Sequence, residues 1–357
     1  MTTTAQLLRV DPGSPHFAGL VDLMAQVDRE TVGDACEPYD VDYEAASWTT
    51  ANGRNAGWVV VTDGAVVGFA KAYLPDRDNT HAVELELGTA PGHRGHGHGR
   101  ALLAAVSELA RAEGRDTLMS GTGFRPEPEA AWALHEQAVR DDAVTRRPVP
   151  GAVLGVSFAR ASGADLVQTE VRSQVVLPVP ADVLARQDAE VQAHAGAYTT
   201  RTWLGACPEE LMVDRAALAA RMDTDPPLGD MDWRPGVWDA DRMRDTYADW
   251  QRRGLQMVGA GAVAADGRMV AFSEMGRDRR NPLLAYQFDT IVDPDHRGHR
   301  LGMLVKQAAL RRLGEAMAEV ERVQTWNALE NGPMLRVNRA MGFVPVGLYS
   351  LYQLKLT

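Results

Sequence analysis

Two stretches, Pro91-Gly92-His93-Arg94-Gly95-His96-Gly97-His98-Gly99 and Pro294-Asp295-His296-Arg297-Gly298-His299-Arg300-Leu301-Gly302, agree at six of nine positions and lie 203 residues apart. Upstream, Asp63-Gly64-Ala65-Val66-Val67-Gly68-Phe69-Ala70 resembles Asp266-Gly267-Arg268-Met269-Val270-Ala271-Phe272-Ser273 at the same offset of 203. Two separated matches sharing one offset identify a duplicated domain, since solenoid repeats recur every ~20–50 residues. At 357 residues the chain also exceeds what one core usually spans. Domains of 1–178 and 179–357 are expected, linked near Leu177-Pro178-Val179-Pro180-Ala181, where two prolines interrupt any strand.

Each copy reads alike. Residues 55–62 and 256–265 are strand-like and run into Asp-Gly turns followed by a second strand, which predicts a hairpin. A third strand is predicted over 83–87 and 286–292, and a further one over 117–120 and 322–326. Between them, residues 100–111 and 303–317 carry apolar side chains at helical spacing, among them Leu102, Val106 and Ala110. The expected class is α/β (α+β): two tandem folds, each a mostly antiparallel mixed sheet flanked by helices.

The net charge of −11 disfavours a nucleic-acid footprint or a polybasic membrane contact and suits a cationic acceptor. Cys36 and Cys207 are far apart with no CxxC spacing, which predicts free thiols, a reducing compartment and no zinc site. The start, Met1-Thr2-Thr3-Thr4-Ala5-Gln6, lacks the basic and apolar regions of a secretion leader. No stretch approaches the ~20 apolar residues of a membrane span, so a cytoplasmic protein is expected.

A strand, then Arg-x-x-Gly-x-Gly, then a helix is a device for binding phosphate. Glycines allow tight turns and close main-chain approach, and the free N–H groups of the helix start face the anion. Neither the Rossmann spacing Gly-x-Gly-x-x-Gly nor the Walker Gly-Lys-Ser/Thr occurs here. Three histidines, His93, His96 and His98, share the loop, but they lack an obvious fourth ligand, and no metal is expected.

The chain is therefore identified as resembling the GNAT acetyltransferases, whose acetyl-CoA signature is Arg/Gln-x-x-Gly-x-Gly/Ala at a strand-to-helix junction. Arg94, Gly97 and Gly99 match it; in the second copy Arg297 and Gly302 match, with Arg300 at the middle glycine. Its tandem organisation resembles actinobacterial two-domain members such as mycothiol synthases. The resemblance implies acetyl-CoA as cofactor, held by Leu87, Thr89, Arg94, Gly95, Gly97 and Gly99 in the first copy. In the second copy it implies Ile291, Val292, Arg297, Gly298, Arg300, Gly302, Asn327 and Asn331.

Family members also carry Asn-x-x-Ala-x-x-x-Tyr-x-x-x-Gly-Phe on a helix beside the pantetheine arm, with the tyrosine protonating the departing thiolate. Here Asn331 to Phe343 fit that frame, but Asn338 stands at the tyrosine position and is no acid near neutral pH. The first copy's nearest candidate is Phe158 to Ala164, after an insertion around residues 130–150.

Candidate bases are the carboxylates on the strand before the loop: Glu84, Glu86 and, at the position matching Glu86, Asp289. Each also reads as a merely exposed or paired strand carboxylate. Tyr349 and Tyr352 on the last strand could replace the missing acid. Trp203, Trp233, Trp238 and Trp250 are either acceptor-cleft walls or core. The better motif helix favours the second copy as the catalytic one. The expected reaction is direct acetyl transfer to a primary amine of a small molecule or peptide, with no nucleic-acid or membrane partner and room for a homodimer. The alternative is a non-catalytic acyl-CoA-binding or sensor protein.

Overall fold

The computed structural model describes residues 5–33, 39–125 and 154–357, with Ala130, Ala133 and Glu136 between them. Cys36 and nearly all of the 130–150 insertion lie outside the described residues. In the first half the order is β1 (Gln6–Val10), α1 (Phe17–Val32), α2 (Val41–Ala46), β2 (Thr49–Thr50), β3 (Gly53–Thr62), β4 (Ala65–Pro75), β5 (Ala82–Thr89), α3 (His98–Ala112), β6 (Thr117–Phe124), α4 (Leu154–Ala161) and β7 (Asp165–Val176). The second half repeats it as α5 (Ala181–His194), β8 (Thr199–Leu204), α6 (Met212–Met222), α7 (Ala240–Arg252), β9 (Leu255–Val263), β10 (Met269–Asp278), β11 (Leu284–Val292), α8 (Leu301–Ala316), β12 (Arg322–Ala328), α9 (Gly332–Ala340) and β13 (Val344–Lys355).

Local chemistry explains the hairpins. Asp63 and Gly64 both take positive φ, 52° and 78°, as a two-residue primed turn requires, and β3 pairs with β4 across them. In the second copy the ladder stops at Val263 and Met269, so Asp266-Gly267 sits in a longer loop. Helix α3 buries Leu102, Val106 and Ala110, a stripe at i, i+4 and i+8, completely against the sheet. Burial of each of the two larger side chains contributes about 1.5–3 kcal/mol.

The two copies share one 13-stranded sheet in the order β1-β3-β4-β5-β6-β13-β7-β12-β11-β10-β9-β8, with β2 on β3. Among the described strands only β5–β6 and β11–β12 are parallel, each joined by a crossover helix, α3 or α8. The copies exchange their last strands. β7 pairs with β12 of the second half, and β13 inserts between β6 and β7. On one face lie α3 and α8 with their cores; on the other, α1 covers the first half and α6 and α7 the second.

Candidate active site

β5 and β6 pair only from Ala82–Leu85 to Thr117–Ser120, and beyond that they part. The gap is a cleft of about 820 Å³, with Leu87 and Thr89 on one wall, Thr122 to Phe124 on the other, and the loop 93–100 at its outer end. Gly97 has φ 86° and caps α3 without any side-chain hydrogen bond. A Cβ built on Gly95 or Gly97 would meet nothing within 4 Å. The first-turn N–H groups of α3 therefore stand open to the cleft with the helix dipole behind them. Arg94 is occupied within the protein: its Nε donates to the Thr89 carbonyl (3.0 Å), and its guanidinium pairs with Glu30 at 2.5 Å. It braces the loop.

The cleft continues inward. Past Leu87, Thr122, Gly155 and Phe158 it joins a cavity of about 110 Å³ under α3 and α4. Through Leu85, Ser120, Gly121 and Tyr352 that cavity meets a pocket of about 400 Å³ on the opposite face. Glu84, Glu86, Lys71, Tyr73 and Asn55 form a floor that this pocket shares with a second lobe of about 370 Å³. The walls come from the other half: Leu228, Met231, Trp233 and Tyr349 in one lobe, Asp249, Trp250 and Arg253 in the other. Gly121 makes room for Tyr349, since a Cβ there would lie 2.3 Å from its ring.

Strand alternation puts Glu84 and Glu86 on one face, opposite Tyr73 and Lys71 of β4. Lys71 Nζ pairs with Glu44 at 2.7 Å. Burial would lower the Lys71 ammonium, but Glu86 and Glu44 outweigh it and raise the pKa, so the side chain stays charged. Glu84 lines open space, yet the enclosing walls strip much of its hydration. That desolvation first, and the like charge of Glu86 second, push its carboxyl up to about 6. A base poised near working pH is what proton removal from an ammonium needs.

In the second copy a buried ion pair occupies part of the matching face. On the face corresponding to the acidic pocket, Arg215 of α6 pairs with Glu274 at 2.8 Å, the two side chains 2% and 0% exposed. Trp203 Nε1 (3.3 Å) and the Tyr247 hydroxyl also donate to Glu274, and the guanidinium lies 3.7 Å over the Phe272 ring. Gln287, at the position matching Glu84, donates to Ser273 Oγ and the Glu274 carbonyl. Asp289 lies 3.9 Å from Arg215 and keeps 41% of its side-chain surface exposed. Its crowded setting raises the carboxyl pKa, with Arg215 acting against burial.

On the helix face of that copy, Lys306 Nζ donates to Asn338 Oδ1 (2.5 Å), and Asn338 Nδ2 to Asn327 Oδ1 (2.6 Å). Lys306 and Asn338 are 1% and 0% exposed. The matching first-copy residues, Leu103, Ala159 and Phe124, are apolar. Burial pushes the Lys306 ammonium down to about 7. The unfolded chain keeps that proton up to about 10.4, so stability gains from rising pH between about 7 and 10.4. Lys306→Met should remove this gain: wild-type minus variant stability, from urea titrations, should increase across that window. A constant difference would rule out a displaced Lys306.

Residues 21–138 match the acetyltransferase (GNAT) family model. Over 293 residues, covering 80% of each chain, the sequence is 27% identical to the mycothiol acetyltransferase of Tsukamurella paurometabola. The fold superimposes on a tandem GNAT protein from the clavulanic acid biosynthesis pathway, solved without AcCoA, with TM-score 0.73 and 25% identity over 99% of this chain and 98% of that one. Part of the first half thus matches the GNAT family model, and the whole chain is similar to a tandem GNAT protein. A GCN5-related N-acetyltransferase from Sphaerobacter thermophilus shares the fold at TM-score 0.59 and 16% identity, covering 98% of this chain and 95% of that one.

In this chain the structure gathers Glu84, Glu86 and Tyr349 in one pocket, and Leu87, Thr89, Gly95, Gly97 and Gly99 along one cleft with Arg94 behind them. Asp289 is held apart, on the other half's sheet. Asn338 and Asn327 point into each other, and Asn331 caps α9 by accepting from the Met334 N–H. Arg297 pairs with Asp225 (2.6 Å). Arg300 takes the left-handed conformation (φ 56°) that Gly97 takes in the first copy, and its Nε contacts Glu190 at 2.7 Å. Ile291 is buried under α6, while Val292 packs beside Gly302 at the start of α8, and Gly298 turns with φ 86°.

Of the tryptophans, Trp203 is core, whereas Trp233 and Trp250 line the first copy's pocket. Lys71 and Tyr73 escaped the sequence reading. Their signal was a lysine in an otherwise apolar strand, on the face that alternation shares with Phe69 and Tyr73. Among the described residues no His, Cys, Asp and Glu cluster suits a metal, and no helix is long and apolar enough to cross a membrane.

Proposed function

We propose that this enzyme transfers acetyl from acetyl-CoA to a primary amine, and that the first copy does so, contrary to the preference for the second that the motif helix suggested. One observation carries the reading: in the first copy an uncapped glycine-rich loop, a splayed strand pair and an acidic pocket adjoin one another through shared lining residues. The corresponding faces of the second carry the buried Arg215–Glu274 and Lys306–Asn338 pairs, where the first has Lys71, Leu103 and Ala159. Residues 1–178 and 179–357 are the two repeats of this proposal, with the active one finished by walls from its neighbour.

Acetyl-CoA suits these residues: the open N–H groups after Gly97 would hold its pyrophosphate, and the parted edges of β5 and β6 would flank its pantetheine arm. When bound, it supplies the activated acetyl thioester. Glu84 accepts the acceptor's ammonium proton, and Glu86 with Lys71 fixes the local charge. The acidic floor attracts a cationic amine, and the enclosing tyrosines and tryptophans hold its body. Amines related to mycothiol belong in the test panel because a similar protein is a mycothiol acetyltransferase.

Matched variants test the assignment. Gly97→Val forces a β-branched residue into φ 86° and fills the open cradle. It should abolish thiol release with an accepted amine and remove one CoA site in calorimetry, whereas Gly302→Val should leave turnover within about threefold. Turnover lost only in Gly302→Val would move catalysis to the second copy. Absence of turnover in wild type with every amine would favour a binding or sensor role.

A further inference from the structure

Between the cleft and the acidic pocket lies the cavity of about 110 Å³ under α3 and α4. It shares Leu87, Thr122, Gly155 and Phe158 with the cleft, and Leu85, Ser120, Gly121 and Tyr352 with the pocket. Its lining is chiefly hydrocarbon. Strand alternation turns Leu85 and Leu87 away from the face that carries Glu84 and Glu86, into the core under α3. Leu103, Leu118, Phe158 and Leu354 complete the walls, and none of the described residues around the cavity is charged. Protein interiors hold few voids larger than a water molecule, so space of this size among leucines is unusual packing. An apolar cavity also stays dry and takes up hydrocarbon when offered it.

The second copy supplies a contrast at two of the lining positions. Leu103 matches Lys306 at the offset of 203, and Ala159, four residues before Gly163, aligns with Asn338, four before Gly342. There the two side chains are buried and hydrogen-bonded to each other at 2.5 Å. In the first copy the same positions are apolar, and the methyl of Ala159 leaves the space beside it empty. A methylene fills about as much space as a water molecule, roughly 30 Å³, so the cavity has room for three or four of them.

We propose that this cavity is an acyl-chain pocket, and that the first copy binds straight-chain acyl-CoA thioesters of about four to six carbons more tightly than acetyl-CoA. Its position between the cleft and the acidic pocket is where the acyl end of a donor held by the glycine-rich loop would approach an amine beside Glu84. Methylenes that enter it leave water for leucine and phenylalanine surface, which is the source of the preference. Leu103 and Ala159 are then specificity-determining residues for the donor. This inference rests on the first copy being the CoA site.

The test is calorimetry on the full-length protein with CoA, acetyl-CoA, butyryl-CoA and hexanoyl-CoA, no acceptor being present. Burial of two further methylenes should make butyryl-CoA bind about tenfold tighter than acetyl-CoA, with hexanoyl-CoA at least as tight as butyryl-CoA. Ala159→Leu fills the cavity and should remove the advantage of the longer donors, while affinity for CoA itself stays within about threefold. Leu103→Ala enlarges the cavity and should move the best fit to octanoyl-CoA, which gives a second reading if the overpacked variant does not fold. With an accepted amine, kcat/KM should follow the same order of donors. Equal affinity for acetyl-CoA and butyryl-CoA in wild type, or a butyryl preference that persists in folded Ala159→Leu, would overturn the acyl-chain pocket. If Gly97→Val still abolished CoA binding in that case, the site assignment would stand. CoA binding indifferent to Gly97→Val would overturn the site assignment and this inference together.

Discussion

Glu84→Gln is expected to lower kcat/KM for amine acetylation by about 10²-fold or more, the range a positioned general base contributes. CoA affinity should change by less than about twofold, because the carboxylate lies in the acidic pocket and away from the glycine-rich loop. The pH profile separates this role from a structural one. Glu84 must be unprotonated to accept a proton, and its carboxyl titrates at about 6, above the ordinary 4.5. Wild-type kcat/KM should therefore decline as pH falls through about 6, and the Gln variant should lose that part of the decline.

Stability should move the opposite way. A carboxyl raised in the folded state binds its proton more tightly there than in the unfolded chain, so it contributes a cost that develops as pH rises from about 4.5 to 6. Glu84→Gln removes that cost, and urea midpoints above this range should rise while activity falls. Wild-type rates in the variant across the whole profile would eliminate Glu84 as the base and pass the role to Glu86.

The second large effect is on stability. Glu274→Gln leaves the Arg215 guanidinium buried without its counter-charge, and breaking such a pair from one side costs about 3–5 kcal/mol. The site offers little relaxation: both side chains are essentially inaccessible, and Trp203 and Tyr247 converge on the same carboxylate. Glu274→Leu combined with Arg215→Met should recover most of the loss, because removing both charges also removes their desolvation cost. Denaturant titrations of the single and double variants check this. A single variant within about 1 kcal/mol of wild type would mean that water reaches Arg215. Acetylation by the first copy should survive in the double variant, since its pocket contains neither residue.

These outcomes separate what was legible in the residues from what was not. The duplication, the hairpins, the glycine-rich loops and the amphipathic helices could all be read directly. Each depends on conformations and spacings within a dozen residues: positive φ at Asp63-Gly64 and Gly97, period two in β5, and apolar positions four apart in α3. The acidic residues were also visible on β5 and β11, but Glu84, Glu86 and Asp289 looked equivalent there. What distinguishes them comes from far along the chain. Arg215 on α6 faces Asp289 and seals Glu274, whereas the space before Glu84 stays open between Trp233 and Tyr349.

The same limit concealed the last strands. Alternation marks β7 and β13 as strands but carries no information about their neighbours, because any strand with one apolar face can pair with any other. Only the assembled sheet determines that β13 lies beside β6 and that Tyr352 reaches the first copy. The sequence by itself determined the duplicated fold, its glycine-rich loops and its likeness to the acetyltransferases. The tertiary structure decided the surroundings of each copy's strand carboxylates, because these depend on side chains brought together across the sheet, where burial and charge are set by long-range packing and not by spacing along the chain.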